Sequence, residues 1–348
     1  MKIGLRMVFL LAGLLGLGMS AQAGAGQKET GRLAAASKKS VHKSQPQAKK
    51  SARNAKATKH AKSASTKKAS KSVAGKKVRK AELRQDRLDQ QLEDGKLALY
   101  SSSAYVIDQQ SGKELVDKNS GVVLPIASIT KLMTAMIVLD ARQDMQEVIT
   151  IGEEDVDTLK GTRSRLPVGT SMTRMTAMLL ALMSSENRAA NALGRNYPGG
   201  LPAFVAAMNL KARILGMNHT SFEEPTGLSS NNLSTARDLA VMVAAAAEYP
   251  EIRTASTTAE LVLDLHGRTQ NFTNTNALVK SEDWRIEVSK TGFISEAGRC
   301  LVMKAWVTSR PVVIVLLDSN GKMTRVGDAN RIKRWMESAG LVRRTPEV

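Results

Sequence analysis

Ser128 and Lys131 stand three residues apart inside Ala127-Ser-Ile-Thr-Lys-Leu-Met-Thr-Ala-Met, where Ile129, Leu132, Met133, Met136 and Ile137 recur with helical spacing. Val138 and Leu139 fill most of what remains, so the helix is expected to be buried nearly all round. Residues three apart on a helix are neighbours on one face, which sets a hydroxyl beside an amine. A buried helix has no structural use for a lysine. Poorly solvated, Lys131 tends to lose its proton and become a base, while the helix N-terminus favours negative charge developing on Ser128. The pair therefore reads as a serine nucleophile activated without histidine. Taken alone, Ser-x-x-Lys is equally an N-cap followed by a snorkelling lysine.

Two later stretches add polar groups of the same kind. Ser185-Glu186-Asn187 interrupts an apolar helical stripe, and Ser184 to Asn191 is expected to be a turn between helices, with Ser185 and Asn187 pointing the same way from an extended piece. Lys290-Thr291-Gly292-Phe293 ends a strand expected over Arg285–Ser289. Glycine at a strand end marks a close approach of another backbone. A substrate could add there as an extra strand, with a hydroxyl and a cation beside it to receive a carboxylate. Each stretch alone also fits an ordinary polar loop or a strand leaving through a glycine turn.

The elements that must position these groups follow from patterning. Leu97 to Asp108 and Glu114 to Asp117 flank Gln-Gln-Ser-Gly-Lys, a hairpin signature with Gly112 at the turn. A short strand is expected at Val148 to Ile151 and a turn-rich segment over Lys160 to Gly169. Thr173 should cap a helix carrying Met175, Met178, Leu179, Leu182 and Met183, a stripe read as core filler. Helices are expected at Pro202–Leu215 and at Ala236–Glu248, the latter capped by Ser234 or Thr235 with Asp238 reaching back. The last third reads as β, at Glu260–Leu265, Arg285–Ser289, Cys300–Thr308 and Val312–Asp318, before a final helix over Asp328–Ser338.

The bulk numbers need locating before they mean anything. The net charge of +19 over 348 residues suggests a nucleic-acid or membrane binder, yet residues 27–80 hold 18 Lys/Arg against the single acid Glu29. Past Lys80 the 31 basic and 31 acidic residues balance, so the basic character belongs to one arm and no nucleic-acid partner is expected of the folded part. The span 24–95 is rich in Ala, Lys, Ser and Thr, and it reads as a disordered arm that is either a solvated spacer or a weak contact to an anionic surface. Residues 81–95 look weakly helical. Residues 1–23 read as a secretory signal: Lys2 and Arg6, an apolar run Met7–Met19, then Ala21-Gln22-Ala23. Export to the periplasm and release are expected, leaving a catalytic domain over 96–340 and a short tail over 341–348. One cysteine, Cys300, permits no internal disulfide, and outside the cytosol it is tolerable only if buried. The four histidines, His42, His60, His219 and His266, lack metal-ligand spacing, so neither a metal nor another cofactor is expected.

Ser128-x-x-Lys131, Ser185-x-Asn187 and Lys290-Thr291-Gly292 occur in an order used by penicillin-binding proteins and class A β-lactamases. From Leu97 to about Gly340 the chain resembles the low-molecular-weight DD-peptidases, peptidase family S11, and within them the D-alanyl-D-alanine endopeptidases of the penicillin-binding protein 7 group. Pro125-Ile-Ala-Ser-Ile-Thr-Lys131, Ala181-Leu-Met-Ser-Ser-Glu-Asn187, Glu224-Pro-Thr-Gly-Leu-Ser and Lys290-Thr-Gly-Phe carry the resemblance. It implies an α+β fold of β-lactamase/DD-peptidase type, an antiparallel sheet flanked by helices beside a helical subdomain. It implies a nucleophile at Ser128, a base at Lys131, a proton relay at Ser185 and an amide-binding Asn187. Lys290 and Thr291 would attract and hold the substrate carboxylate, and the oxyanion would lie between the backbone N–H groups of Ser128 and Phe293. The substrates implied are peptidoglycan stem peptides and cross-links, with β-lactams as inhibitors. A DD-carboxypeptidase or a silent peptidoglycan-binding protein are the alternatives. Glu186 stands where the lactamases carry aspartate, and no Glu-x-x-Leu-Asn for deacylation is present, so penicillin is expected to be held as a stable acyl-enzyme. Glu223 and Glu224 read as part of the peptidase pattern or as solvent-facing loop carboxylates.

Overall fold

The computed structural model describes residues 97–342; the expected signal peptide at 1–23, the arm at 24–95 with its weak helix, and the last six residues lie outside them. In chain order, β1 (Ser101–Asp108) and β2 (Glu114–Lys118) form the expected hairpin, and β3 (Leu124–Pro125) leads to a 3-10 turn over Ala127–Thr130. That turn continues directly into α1 (Lys131–Asp140). β4 (Val148–Thr150) pairs with β5 (Ser171–Thr173), and Thr173 caps α2 (Arg174–Met183) by accepting from the Thr176 N–H at 3.1 Å. Then come α3 (Asn187–Arg195), α4 (Gly200–Ile214), β6 (Leu233–Ser234), α5 (Ala236–Ala246) and α6 (Pro250–Thr257). The chain continues through β7 (Glu260–Leu265), β8 (Arg268–Thr273), β9 (Arg285–Ile294), β10 (Gly298–Val307), β11 (Arg310–Ser319) and α7 (Thr324–Val342).

Five strands make one antiparallel sheet in the order β2-β1-β11-β10-β9, so β9 is an edge. β10 and β11 are apolar on both sides, as in Leu301-Val-Met and Val312-Val-Ile-Val-Leu-Leu, because helices cover both faces. On one face Ala329, Ile332 and Met336 of α7 pack against Leu301, Met303 and Ile314. On the other, Val302, Val313 and Val315 join a larger core with α1, α2 and α5. Every residue of α1 from Lys131 to Val138 is buried, and most of the Met stripe of α2 is core. Cys300 is a buried free thiol, pushed up to about 11 by burial.

Several boundaries differ from the sequence expectation. The turn expected over Ser184–Asn191 is only Ser184–Glu186, because α3 begins at Asn187. β9 does not stop at Ser289 but carries Lys290 to Ile294 as well, held by pairing with β10 through Thr291↔Leu301 and Phe293↔Arg299. β8 and α6 were not expected, and α7 is longer at both ends than Asp328–Ser338. Thr235 does cap α5, accepting from the Asp238 N–H at 3.1 Å. The Asp238 carboxylate does not reach back to that cap: it accepts from His219 N–H and the Thr220 hydroxyl, both at 2.8 Å, tying down the loop before β6.

Candidate active site

Ser128 lies in the tight turn ahead of α1, half-exposed between the buried Ala127 and Ile129. Two glycines make that placement possible. Gly227, at φ +79°, packs so closely on the turn that a Cβ there would collide with the Ala127 carbonyl. Gly292, inside β9, would place a Cβ 3.0 Å from the Ile126 carbonyl oxygen and 3.2 Å from the Ser128 nitrogen. The close backbone approach expected of Gly292 is therefore real, and the backbone it meets is the one bearing Ser128.

The Lys131 side chain is fully buried. Its Nζ lies 2.9 Å from Ser128 Oγ, 2.7 Å from Asn187 Oδ1 and 2.6 Å from the Thr226 carbonyl oxygen. Burial lowers its pKa from 10.5 to about 7, against the pull of Glu224 and Glu186, whose charges raise it. A neutral amine has two N–H donors, which Asn187 and Thr226 accept, and its lone pair then faces the Ser128 hydroxyl. In this state the amine is a hydrogen-bond acceptor for the serine proton.

Lys290 is also buried, and its Nζ donates to Ser185 Oγ at 2.9 Å and to the Thr291 carbonyl at 2.8 Å. Desolvation holds it well below the ordinary lysine range, and the charges of Lys131 and Arg325 push the same way. Ser185 adopts a left-handed φ of +62°, which no sequence pattern signals. Ser185 and Asn187 reach the same cleft, the first from this strained turn and the second from the first position of α3, not from a shared extended piece. Asn187 also donates through Nδ2 to Thr162 Oγ1 at 3.1 Å. The Thr291 hydroxyl donates to Thr275 Oγ1 at 2.6 Å, and Phe293 is 54% exposed at the end of the same edge. All eight residues singled out from the sequence thus line or adjoin one cleft between the α1–α3 side and β9.

Other residues, not among the eight expected site residues, hold this arrangement. Glu186 is buried; its Oε1 accepts from Arg165 Nε at 2.7 Å and its Oε2 from the Ser164 hydroxyl at 2.6 Å. The longer carboxylate is thus an anchor for the turn that carries Ser185. Glu224 is not a solvent-facing carboxylate: it accepts from Thr226 N–H and Gly227 N–H, both at 2.6 Å, and from Asn232 Nδ2 at 3.1 Å. It thereby folds the loop whose Thr226 carbonyl receives Lys131. Glu223, more exposed, accepts from the Ser229 hydroxyl. Arg325, at the start of α7, donates to the carbonyls of Gly292 at 2.9 Å and Cys300 at 3.2 Å. The register of β10 on β11 shifts between Arg299 and Leu301, which accounts for a strand carbonyl there turning to a side chain.

The sequence pattern of the D-alanyl-D-alanine carboxypeptidases, peptidase family S11, matches residues 89–321. The chain is 49% identical over 242 residues to the D-alanyl-D-alanine endopeptidase of Pseudomonas aeruginosa, covering 69% of this chain and 78% of that protein. It is 46% identical over 244 residues to the D-alanyl-D-alanine endopeptidase of Escherichia coli, covering 70% and 79%. The fold superposes on the crystal structure of the Streptomyces K15 DD-transpeptidase with a TM-score of 0.65 at 26% identity, covering 69% of this chain and 98% of that one. The fold, the cleft and these matches together make the chain a member of the D-alanyl-D-alanine carboxypeptidase family, S11.

Proposed function

We propose that this chain is a serine DD-endopeptidase that hydrolyses D-alanyl cross-links of peptidoglycan through an acyl-enzyme on Ser128. The observation that carries the reading is the buried Lys131 amine, lowered to about 7 and 2.9 Å from the Ser128 hydroxyl. Ser128 Oγ attacks the carbonyl of the D-alanyl bond as its proton passes to Lys131 Nζ. The developing oxyanion is stabilised by the backbone N–H groups of Ser128 and Phe293. The C–N bond breaks as Lys131 returns that proton to the leaving amine through the Ser185 hydroxyl, which Lys290 holds, and is neutral again. Asn187 binds the substrate amide, and Lys290 with Thr291 receives the carboxylate beside the scissile bond. Water then attacks the ester, giving a proton to Lys131, which passes it to Ser128 Oγ as the acyl C–O bond breaks and the carboxylate product leaves.

Endopeptidase rather than carboxypeptidase activity is favoured by the relatives at 49% and 46% identity, both named endopeptidases. A carboxypeptidase from Bacillus subtilis stands further off, at 32%. β-Lactams are the inhibitors expected of this cleft, trapped on Ser128. Export through residues 1–23 to the periplasm, on the pattern of Lys2, Arg6, the apolar run Met7–Met19 and Ala21-Gln22-Ala23, and weak attachment of residues 27–80 to an anionic envelope surface, on their charge, complete the proposal.

Three measurements test the proposal. A fluorescent penicillin should label the wild type and not Ser128→Ala; label surviving the substitution removes Ser128 from the chemistry. Purified sacculi treated with the enzyme should lose cross-linked dimers. Shortened pentapeptides with intact dimers would instead establish a carboxypeptidase, and no turnover by folded protein a binding role only. Cell fractionation that recovers the protein with the cytosol would exclude export.

A further inference from the structure

Arg299 is a half-buried guanidinium to which no carboxylate or carbonyl among the described residues gives a hydrogen bond or ion pair. Its contact is the Phe293 ring, with the guanidinium carbon 4.4 Å from the ring centroid. Phe293 and Arg299 are cross-strand partners of β9 and β10, so both side chains leave the sheet on one face at the end of the edge that carries Lys290-Thr291-Gly292. The acids nearby do not answer the charge. Glu296, in the turn joining β9 to β10, pairs with Lys160 at 2.5 Å, and Asp318 on β11 accepts from neither Arg299 nor Arg325. Arg325 stands close enough that Arg299 adds to the desolvation that lowers it. Two guanidiniums side by side without a counter-charge, one fixed by backbone carbonyls and one parked on an exposed aromatic ring, form a site poised for an anion.

We propose that Arg299, held on the Phe293 ring, is a specificity-determining residue that binds a free carboxylate of the stem peptide on the acyl-donor side of the scissile bond. This rests on the functional reading above. With the oxyanion at the N–H groups of Ser128 and Phe293, and the leaving-side carboxylate at Thr291, a substrate added to the β9 edge runs its donor stem past Phe293 toward Arg299. That stem carries free carboxylates on its glutamyl and diamino-acid residues. Bidentate pairing with a carboxylate suits arginine, and the aromatic ring beneath fixes the guanidinium plane without consuming its donors.

The test uses three soluble stem-peptide dimers: one with both donor-stem carboxylates free, one with the glutamyl carboxylate amidated, and one with the diamino-acid carboxylate amidated. Their affinities for the full-length Ser128→Ala protein are measured by titration calorimetry, so the outcome does not depend on turnover. One amidated dimer should bind about tenfold more weakly, ~1.4 kcal/mol, and its identity names the carboxylate. In Ser128→Ala carrying Arg299→Ala the free and amidated dimers should bind alike, and Arg299→Lys should restore part of the preference. Because the reading compares ligands on one protein preparation, an unfolded fraction cancels. Equal binding of all three dimers to Ser128→Ala, or an undiminished preference with Arg299→Ala, overturns the proposal. Failure of wild-type protein to cleave any dimer while the preference persists would count against the endopeptidase reading and leave the Arg299 subsite standing. With wild-type enzyme that does cleave, the same amidation should raise KM and leave kcat nearly unchanged, as expected of uniform binding.

Discussion

Acylation by a β-lactam should follow the protonation of Lys131 and no other group so closely. A solvated lysine at 10.5 holds about one amine in three thousand neutral at pH 7, whereas Lys131, lowered to about 7, holds half of them neutral. The sign is fixed by chemistry: the neutral amine accepts the Ser128 proton, so the acylation rate rises with pH through about 7 and levels off above 8. Below the midpoint it should fall tenfold per pH unit, to about one per cent of the plateau at pH 5. The assay is the second-order rate of labelling with a fluorescent penicillin across pH 5 to 9, read on gels after short pulses. The same burial leaves a mark on stability. The folded pKa lies below the unfolded one, so between about 7 and 10.5 the unfolded chain holds the extra proton and stability rises with pH; below 7 the full cost remains. From pH 7 to 9 the wild type should gain roughly 2 kcal/mol relative to Lys131→Met, which cannot titrate, as measured by urea unfolding of both proteins. A labelling rate flat from pH 5 to 9, or a midpoint above 9, would refute a neutral amine as the base.

Other outcomes follow from the same packing. Gly227→Ala should cost about 3 kcal/mol or more, because its φ of +79° is left-handed and the new Cβ meets the Ala127 carbonyl, and thermal melting reads this directly. Glu186→Ala leaves Arg165 and the Ser185 turn without their anchor; a loss of about 2–4 kcal/mol with slower acylation is expected, and unchanged melting would show the anchor to be idle. The Cys300 thiol, buried and raised to about 11, should resist Ellman's reagent in the folded protein and react promptly in 6 M guanidinium. Deleting residues 24–90 should leave turnover of soluble dimers intact while abolishing any salt-sensitive retention on sacculi, and lost turnover would show that the arm serves the chemistry itself.

The groups that do chemistry were the most legible part of the chain, because they contradict their surroundings. A lysine inside Ile129-to-Leu139, and four polar residues breaking the Met stripe of α2, are anomalies that patterning exposes. What sequence could not give was long-range. β9 runs through Lys290-Thr-Gly-Phe because pairing with β10 outweighs the glycine, and that partner lies beyond a turn. β8, Arg268-Thr-Gln-Asn-Phe-Thr, shows no apolar alternation and exists by pairing with β7. α6 is eight residues rich in Thr and Ser, weak helix formers, and is held by packing Ile252 and Ala255 into the core. For Glu224 the sequence leaves a part in the peptidase pattern and an exposed loop acid both open, because its donors are supplied by the loop it folds.

The two glycines that grip the Ser128 turn make the floor of the cleft inextensible. Backbone presses on backbone at two places along that turn, leaving no room for either neighbour to move inward there. Accommodation of bulky polymer strands is therefore left to the rim, where Phe293, Leu159 and Lys160 face solvent. Relatives that differ in appetite for large substrates should have diverged in those outer loops, over a base they are obliged to keep.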